Sequence, residues 1–158
     1  MTGILGAIII IAAAFIWGRE RANKEEEKLA ILEGLLRFIL YVKEEIVSFK
    51  TPLARIVEVF SDDALEKSGF SLFLKNNGVV GAEQVLFGKI PKEAYGELSL
   101  FLKNLGGGYS EGQSALCDVV YSRLERSRDE LSLTLSNRIR MYRLLPVLLA
   151  ASVVILLI

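Results

Sequence analysis

The chain has 158 residues, of which 52% are apolar and 24% charged, with a mean hydropathy of +0.41. That is too short for a large enzyme and too apolar for an ordinary soluble domain, so one small domain plus membrane-embedded surface is expected. Nineteen Lys and Arg balance nineteen Asp and Glu, leaving no excess positive charge to hold a nucleic-acid backbone, and nucleic acid is not an expected partner. There is no His, and the single Cys117 cannot form a disulfide within the chain, so zinc sites, His-based triads and disulfide scaffolds fall away.

The apolar excess is concentrated in two runs. Residues 3–18 (GILGAIIIIAAAFIWG) and 144–158 (LLPVLLAASVVILLI) carry no charge, and every charged side chain lies from Arg19 to Arg143. At about 1.5 Å per helical residue, the runs reach roughly 22 to 24 Å, a little short of the roughly 30 Å hydrocarbon layer, a difference that flanking residues can make up. Trp17 suits the membrane interface, and the stems of Arg19 and Arg143 can carry their charges to the headgroups. A cleaved signal peptide is the competing reading of the first run, but no basic residue precedes it and no turn separates it from the following helical pattern. The expected layout is a transmembrane helix at 1–18, a helical domain at 19–143 and a second transmembrane helix at 144–158. Arg19, Arg21 and Lys24 follow the first run, and Arg138, Arg140 and Arg143 precede the second, so both flanks place the central domain in the cytoplasm.

The central domain reads as helical throughout. Leu29, Leu32, Leu36, Ile39 and Ile46 step by threes and fours, and no Pro intervenes before Pro52, so the first helix is expected to continue to about Phe49. Thr51 followed by Pro52 predicts an N-cap and a first-turn proline opening a short helix with Leu53, Ile56, Val57 and Phe60 on one face. Ser61, Asp62 and Asp63 mark the next start. Two weaker segments are expected at 64–77 and 82–87, punctuated by glycines at 69, 78, 81 and 88. Pro91 restarts a clear pattern through Ala94, Leu98, Phe101, Leu102 and Leu105, stopped by Gly106, Gly107 and Gly108. Ser110 and Gln113 fit a capping box that opens a long last helix with the stripe Cys117, Val120, Leu124, Leu131 and Arg138. The predicted fold class is therefore all-α, a bundle of about six helices whose long first and last members continue into the membrane runs.

Candidate chemistry is thin. Gly106 to Gly108 lacks the preceding strand and following Lys of a phosphate loop, so a helix C-cap is the better reading. Asp62, Asp63 and Glu66 stand at a helix start, where the backbone dipole favours negative charge without any catalytic role. Cys117 lies on an apolar stripe and reads as a small core residue. No catalytic residue, metal or cofactor is expected.

The GILGA run, Glu45-Ile46 with Thr51-Pro52-Leu53 beyond it, Leu105-Gly106 with Gln113 seven residues after Gly106, and Met141-Tyr142-Arg143 leading into VVILLI together resemble stage III sporulation protein AB of endospore-forming bacteria. The resemblance implies a component of the sporulation apparatus that spans the two membranes between mother cell and forespore. It also implies a cytoplasmic helical domain similar to the platform proteins of type II secretion and type IV pilus machines, which couple a cytoplasmic ATPase to membrane components and do no chemistry themselves. The expected partners are then the membrane, other proteins of the operon including the ATPase, and further copies of the chain. The alternative is a small membrane-bound regulator that binds one cytoplasmic signalling partner; a membrane enzyme is disfavoured by the lack of any charge within either run. On this reading Thr51, Pro52, Leu53, Leu105, Gly106, Ser110 and Gln113 fix the turns, and Trp17, Arg19, Arg138, Arg140 and Arg143 flank the membrane. Replacing Pro52 or Gly106 is expected to cost roughly 1 to 3 kcal/mol.

Overall fold

The structure, a computed structural model, describes the backbone of residues 2–107 and 110–157, and within these all side chains except those at 2–8, 10, 11, 110, 143, 150, 153, 154, 156 and 157. Among the described residues there are six α-helices and no strand. They are α1 (Thr2–Glu44), α2 (Leu53–Val59), α3 (Asp63–Ser68), α4 (Phe70–Asn77), α5 (Lys92–Asn104) and α6 (Ser110–Leu157). A π-helical turn, Glu45–Phe49, follows α1, and a short 3-10 helix, Ala82–Leu86, precedes α5. The all-α expectation holds, in two compact units: Glu27–Leu131, here the helical body, and Met1–Glu26 with Ser132–Ile158, here the paired ends.

The helical body is built on one apolar core. Leu35, Phe38, Ile39 and Val42 of α1 are buried together with Ile56, Leu65, Phe70, Leu86, Leu98, Phe101, Cys117, Val120 and Leu124. Their spacing of three and four residues on α1, α5 and α6 makes one stripe per helix, which can be covered only by the stripes of the others. Phe38 meets Phe60 edge-on at 5.1 Å between ring centres and Phe70 at 6.0 Å, an arrangement that sets the positive ring edge against a negative face. Polar links join the same helices at their margins: Lys43 to Asp118 at 2.6 Å between α1 and α6, and Arg123 to Glu97 at 2.9 Å between α6 and α5.

Three boundaries differ from the sequence-based expectation, each for a local reason. The first helix does not run regularly to Phe49; after Glu44 it widens into the π turn, ended by Lys50 in the left-handed region at φ 51°, whose N–H returns to the Glu45 carbonyl. The weak segment expected over 64–77 resolves into two helices at Gly69, one of the glycines that punctuate it, whose φ of +86° closes α3 and opens α4. The segment at 82–87 is a 3-10 turn over Ala82–Leu86, too short and glycine-bounded to reach α-helical register. On α6 the buried stripe ends at Leu131, and Arg138 is exposed.

In the paired ends, Gly18 is buried with its Cα turned to the backbone carbonyl of Tyr142 and to the Pro146 ring, and Ala22 is fully buried. Glu25 and Arg138 approach to 3.6 Å. Among the described residues no helix is long and apolar enough to cross a membrane. Of the expected spans, the side chains of 1–8, 10 and 11 in the first and of 150, 153, 154 and 156–158 in the second lie outside the described residues.

Candidate functional site

The turn after the π segment is held differently from the pattern the sequence suggests. Thr51 is not the N-cap of α2: its hydroxyl donates to the Glu45 carboxylate at 2.6 Å, and its backbone N–H donates to the Glu45 carbonyl at 3.0 Å. Thr51 thereby closes the end of the preceding helix. Pro52 takes the N-cap position with φ −59° and ψ 139° and no side-chain cap bond, its carbonyl accepting from the amides of Arg55 and Ile56. The proline ring presets that extended entry, and Leu53 begins the helix.

The turn from α5 to α6 is strapped by a buried amide. Leu105 is extended and Gly106 has a φ of +85°, so the chain leaves α5 without a continuing helical partner for its last polar groups. Gln113, 6% exposed, supplies both partners: its Oε1 accepts from the Gly106 N–H at 3.1 Å, and its Nε2 donates to the Asn104 carbonyl at 3.1 Å. The described bonds of Gln113 thus run back to the end of α5, not to a capping box with Ser110, whose side chain lies outside the described residues. The two turns meet: a Cβ added at Gly106 would lie 3.3 Å from Cδ2 of Leu53. Leu53 also lines, with Val57, Leu74 and Val79, a cavity of about 300 Å³ beside α2 and α4.

A third joint carries no signal that the residue pattern alone makes plain. Gly34, in the middle of α1, is buried, and a Cβ there would come within 2.6 Å of Asp62 Oδ1 and 2.9 Å of Leu65 Cγ. The missing side chain lets the start of α3 rest on α1. Arg37, three residues on and so on the same helix face, closes on Asp62 Oδ2 at 2.7 Å through Nη2 and 2.8 Å through Nε, while Asp62 Oδ1 caps the amides of Ala64 and Leu65. An isolated glycine inside a strong helical pattern was the available clue. Asp62 is therefore spent on capping and on Arg37, and Glu66 accepts from the Ser61 hydroxyl at 2.7 Å. Among the described residues no group of three or more His, Cys, Asp or Glu could hold a metal ion.

Burial raises the Cys117 thiol to about 11, with Asp118 adding to the rise, so it stays protonated at neutral pH and behaves as a core residue. At the flanks, Trp17 is exposed with the Arg21 guanidinium 5.2 Å above its ring, Arg19 and Arg140 are exposed, Arg138 faces Glu25, and the side chain of Arg143 lies outside the described residues. The flank residues stand in the paired ends and the turn residues in the helical body.

No curated protein and no solved structure matches the chain. Residues 3–76, just under half of the chain, match the family model of Stage III sporulation protein AB, which supports the family that the sequence resembles and with it a sporulation-related role.

Proposed function

We propose that the chain is a non-enzymatic, membrane-anchored platform component of the transenvelope assembly between mother cell and forespore, with its helical body on the mother-cell cytoplasmic side and in contact with an ATPase. The observation that carries the reading is the family match over residues 3–76, a span that includes both the charge-free run at 3–18 and the α1–α2 joint. Two further features support it. The basic residues after the first run and before the second favour one side of the bilayer for everything between them. Within the body, the polar side chains at the joints are committed to fixing helix ends, as Gln113, Thr51 and Asp62 are, which suits a part that holds shape under load.

The test is a pull-down of the tagged full chain from detergent-solubilised membranes of sporulating cells. Co-purification of an ATPase with several products of the same operon is the expected result. Recovery of a single soluble signalling protein in their place would favour the regulator reading and overturn the platform.

A further inference from the structure

Pro146 and Gly18 are two departures from ordinary helix chemistry that fall at one place. In an α-helix the N–H of residue 146 serves the carbonyl of residue 142; a proline has no N–H, and its ring crowds that same carbonyl. The Tyr142 carbonyl is therefore the one oxygen of α6 from which Pro146 withdraws the regular bond. Gly18 of α1 packs on that carbonyl. A Cβ at Gly18 would overlap the Tyr142 oxygen outright, and would lie 3.3 Å from the Tyr142 carbonyl carbon and 3.4 Å from Cγ of Pro146. What occupies the place of a Cβ is an α-hydrogen, and a Cα–H directed at a carbonyl oxygen is a weak hydrogen bond of the kind that recurs where two helices approach closely. Gly18 is buried and so is Ala22 one turn on, and Glu25 continues the same approach to Arg138 at 3.6 Å. Rising numbers on α1 thus meet falling numbers on α6, the order of an antiparallel helix pair.

We propose that Gly18 and Pro146 are a matched lock: Pro146 withdraws the helical donor from the Tyr142 carbonyl, the bare Cα of Gly18 covers it, and the fit fixes one axial register of α1 against α6 in the paired ends. Neither residue alone explains the arrangement. A helix pair held only by small residues can slide by a turn, because successive turns present similar surfaces. A single carbonyl without its usual donor, set opposite a single glycine, admits one register. The lock goes beyond the platform reading and does not depend on it.

The sequence offers a direct probe, because Tyr142–Arg143 is the one Tyr–Arg pair in the chain, so carbonyl-¹³C tyrosine with ¹⁵N arginine lights a single peptide bond. In the full-length, unsubstituted protein in detergent micelles, the Gly18 α-hydrogens should show a through-space contact to the labelled Tyr142 carbonyl; its absence overturns the lock without any risk of misfolding. Gly18→Ala should shift the Tyr142 carbonyl peak, since the added methyl displaces the oxygen. Pro146→Ala should shift it in the sense of a newly bonded carbonyl, because the substitution restores a backbone N–H at that position. In the double variant the step caused by G18A should be much smaller than in the chain that keeps Pro146. Equal steps in both backgrounds, or no step from G18A alone, would show that the two residues act independently and overturn the proposal.

Discussion

The helical body gathers many of its large apolar side chains into one core, whereas the described ones of the paired ends stay mostly outside any core. In the body, Phe38, Phe70 and Phe101 are fully buried in one cluster that draws on every helix. In the paired ends, the described side chains of Ile9, Ile16, Leu148, Leu149 and Ile155 are 61–74% exposed. Two helices can cover each other along one stripe only, so these described side chains are left outside the pair. Such surface is rare on a soluble monomer unless it marks an interaction or membrane site. The comparison separates two uses of the same residue types: in the body they specify a fold, and in the ends they stay exposed, as the proposed membrane anchor requires.

The sharpest way to break this contrast is to cut the same kind of group from each region. Phe101→Ala should cost the body about 3 to 5 kcal/mol, since a fully buried aromatic leaves a cavity that a close-packed core fills only in part. The readout is thiol labelling of Cys117, slow in the native chain because the side chain is buried, and markedly faster in the variant as the body opens more often. Gln113→Ala should follow at about 1 to 3 kcal/mol, because it strands the Gly106 N–H and leaves the Asn104 carbonyl only the long 3.4 Å bond from the Gly107 N–H; urea unfolding of the detergent-solubilised chain measures it. Gly106→Ala should cost about 1 to 2 kcal/mol by the same measurement, the penalty for a side chain in the left-handed region. Leu149→Ala, in the paired ends, should move the unfolding of the body by no more than about 0.5 kcal/mol. A loss there as large as that from Phe101 would erase the distinction.

The body was legible where periodicity was strong. Apolar steps of three and four residues placed the buried faces of α5 and the first half of α6, and Pro91 and Gly106 marked the limits of α5; on α1 they found Leu32, Leu36 and Ile39 but not the buried Ile31, Leu35, Phe38 and Val42, and Leu29 and Ile46 are only partly buried. Legibility failed where a side chain chose between two nearby backbone partners. Thr51 precedes a proline just as an N-cap would, yet its hydroxyl turns back to Glu45; Gln113 stands three residues after Ser110, yet its amide reaches the end of α5. Spacing cannot tell these apart, because each turn offers two backbone or side-chain partners within a few residues and the path of the chain decides between them. Gly34 was hidden for a different reason: only the approach of Asp62 and Leu65, distant in sequence, gives its missing side chain a purpose.

The most direct measurement is alkaline carbonate extraction of membranes from sporulating cells, with protease added before and after the cells are opened. The chain is expected to stay in the membrane pellet, and its central residues to be cut only once the protease reaches the cytoplasm. Release into the carbonate supernatant, or cleavage of the central residues in intact cells, would contradict a helical body anchored on the cytoplasmic side by its charge-free runs.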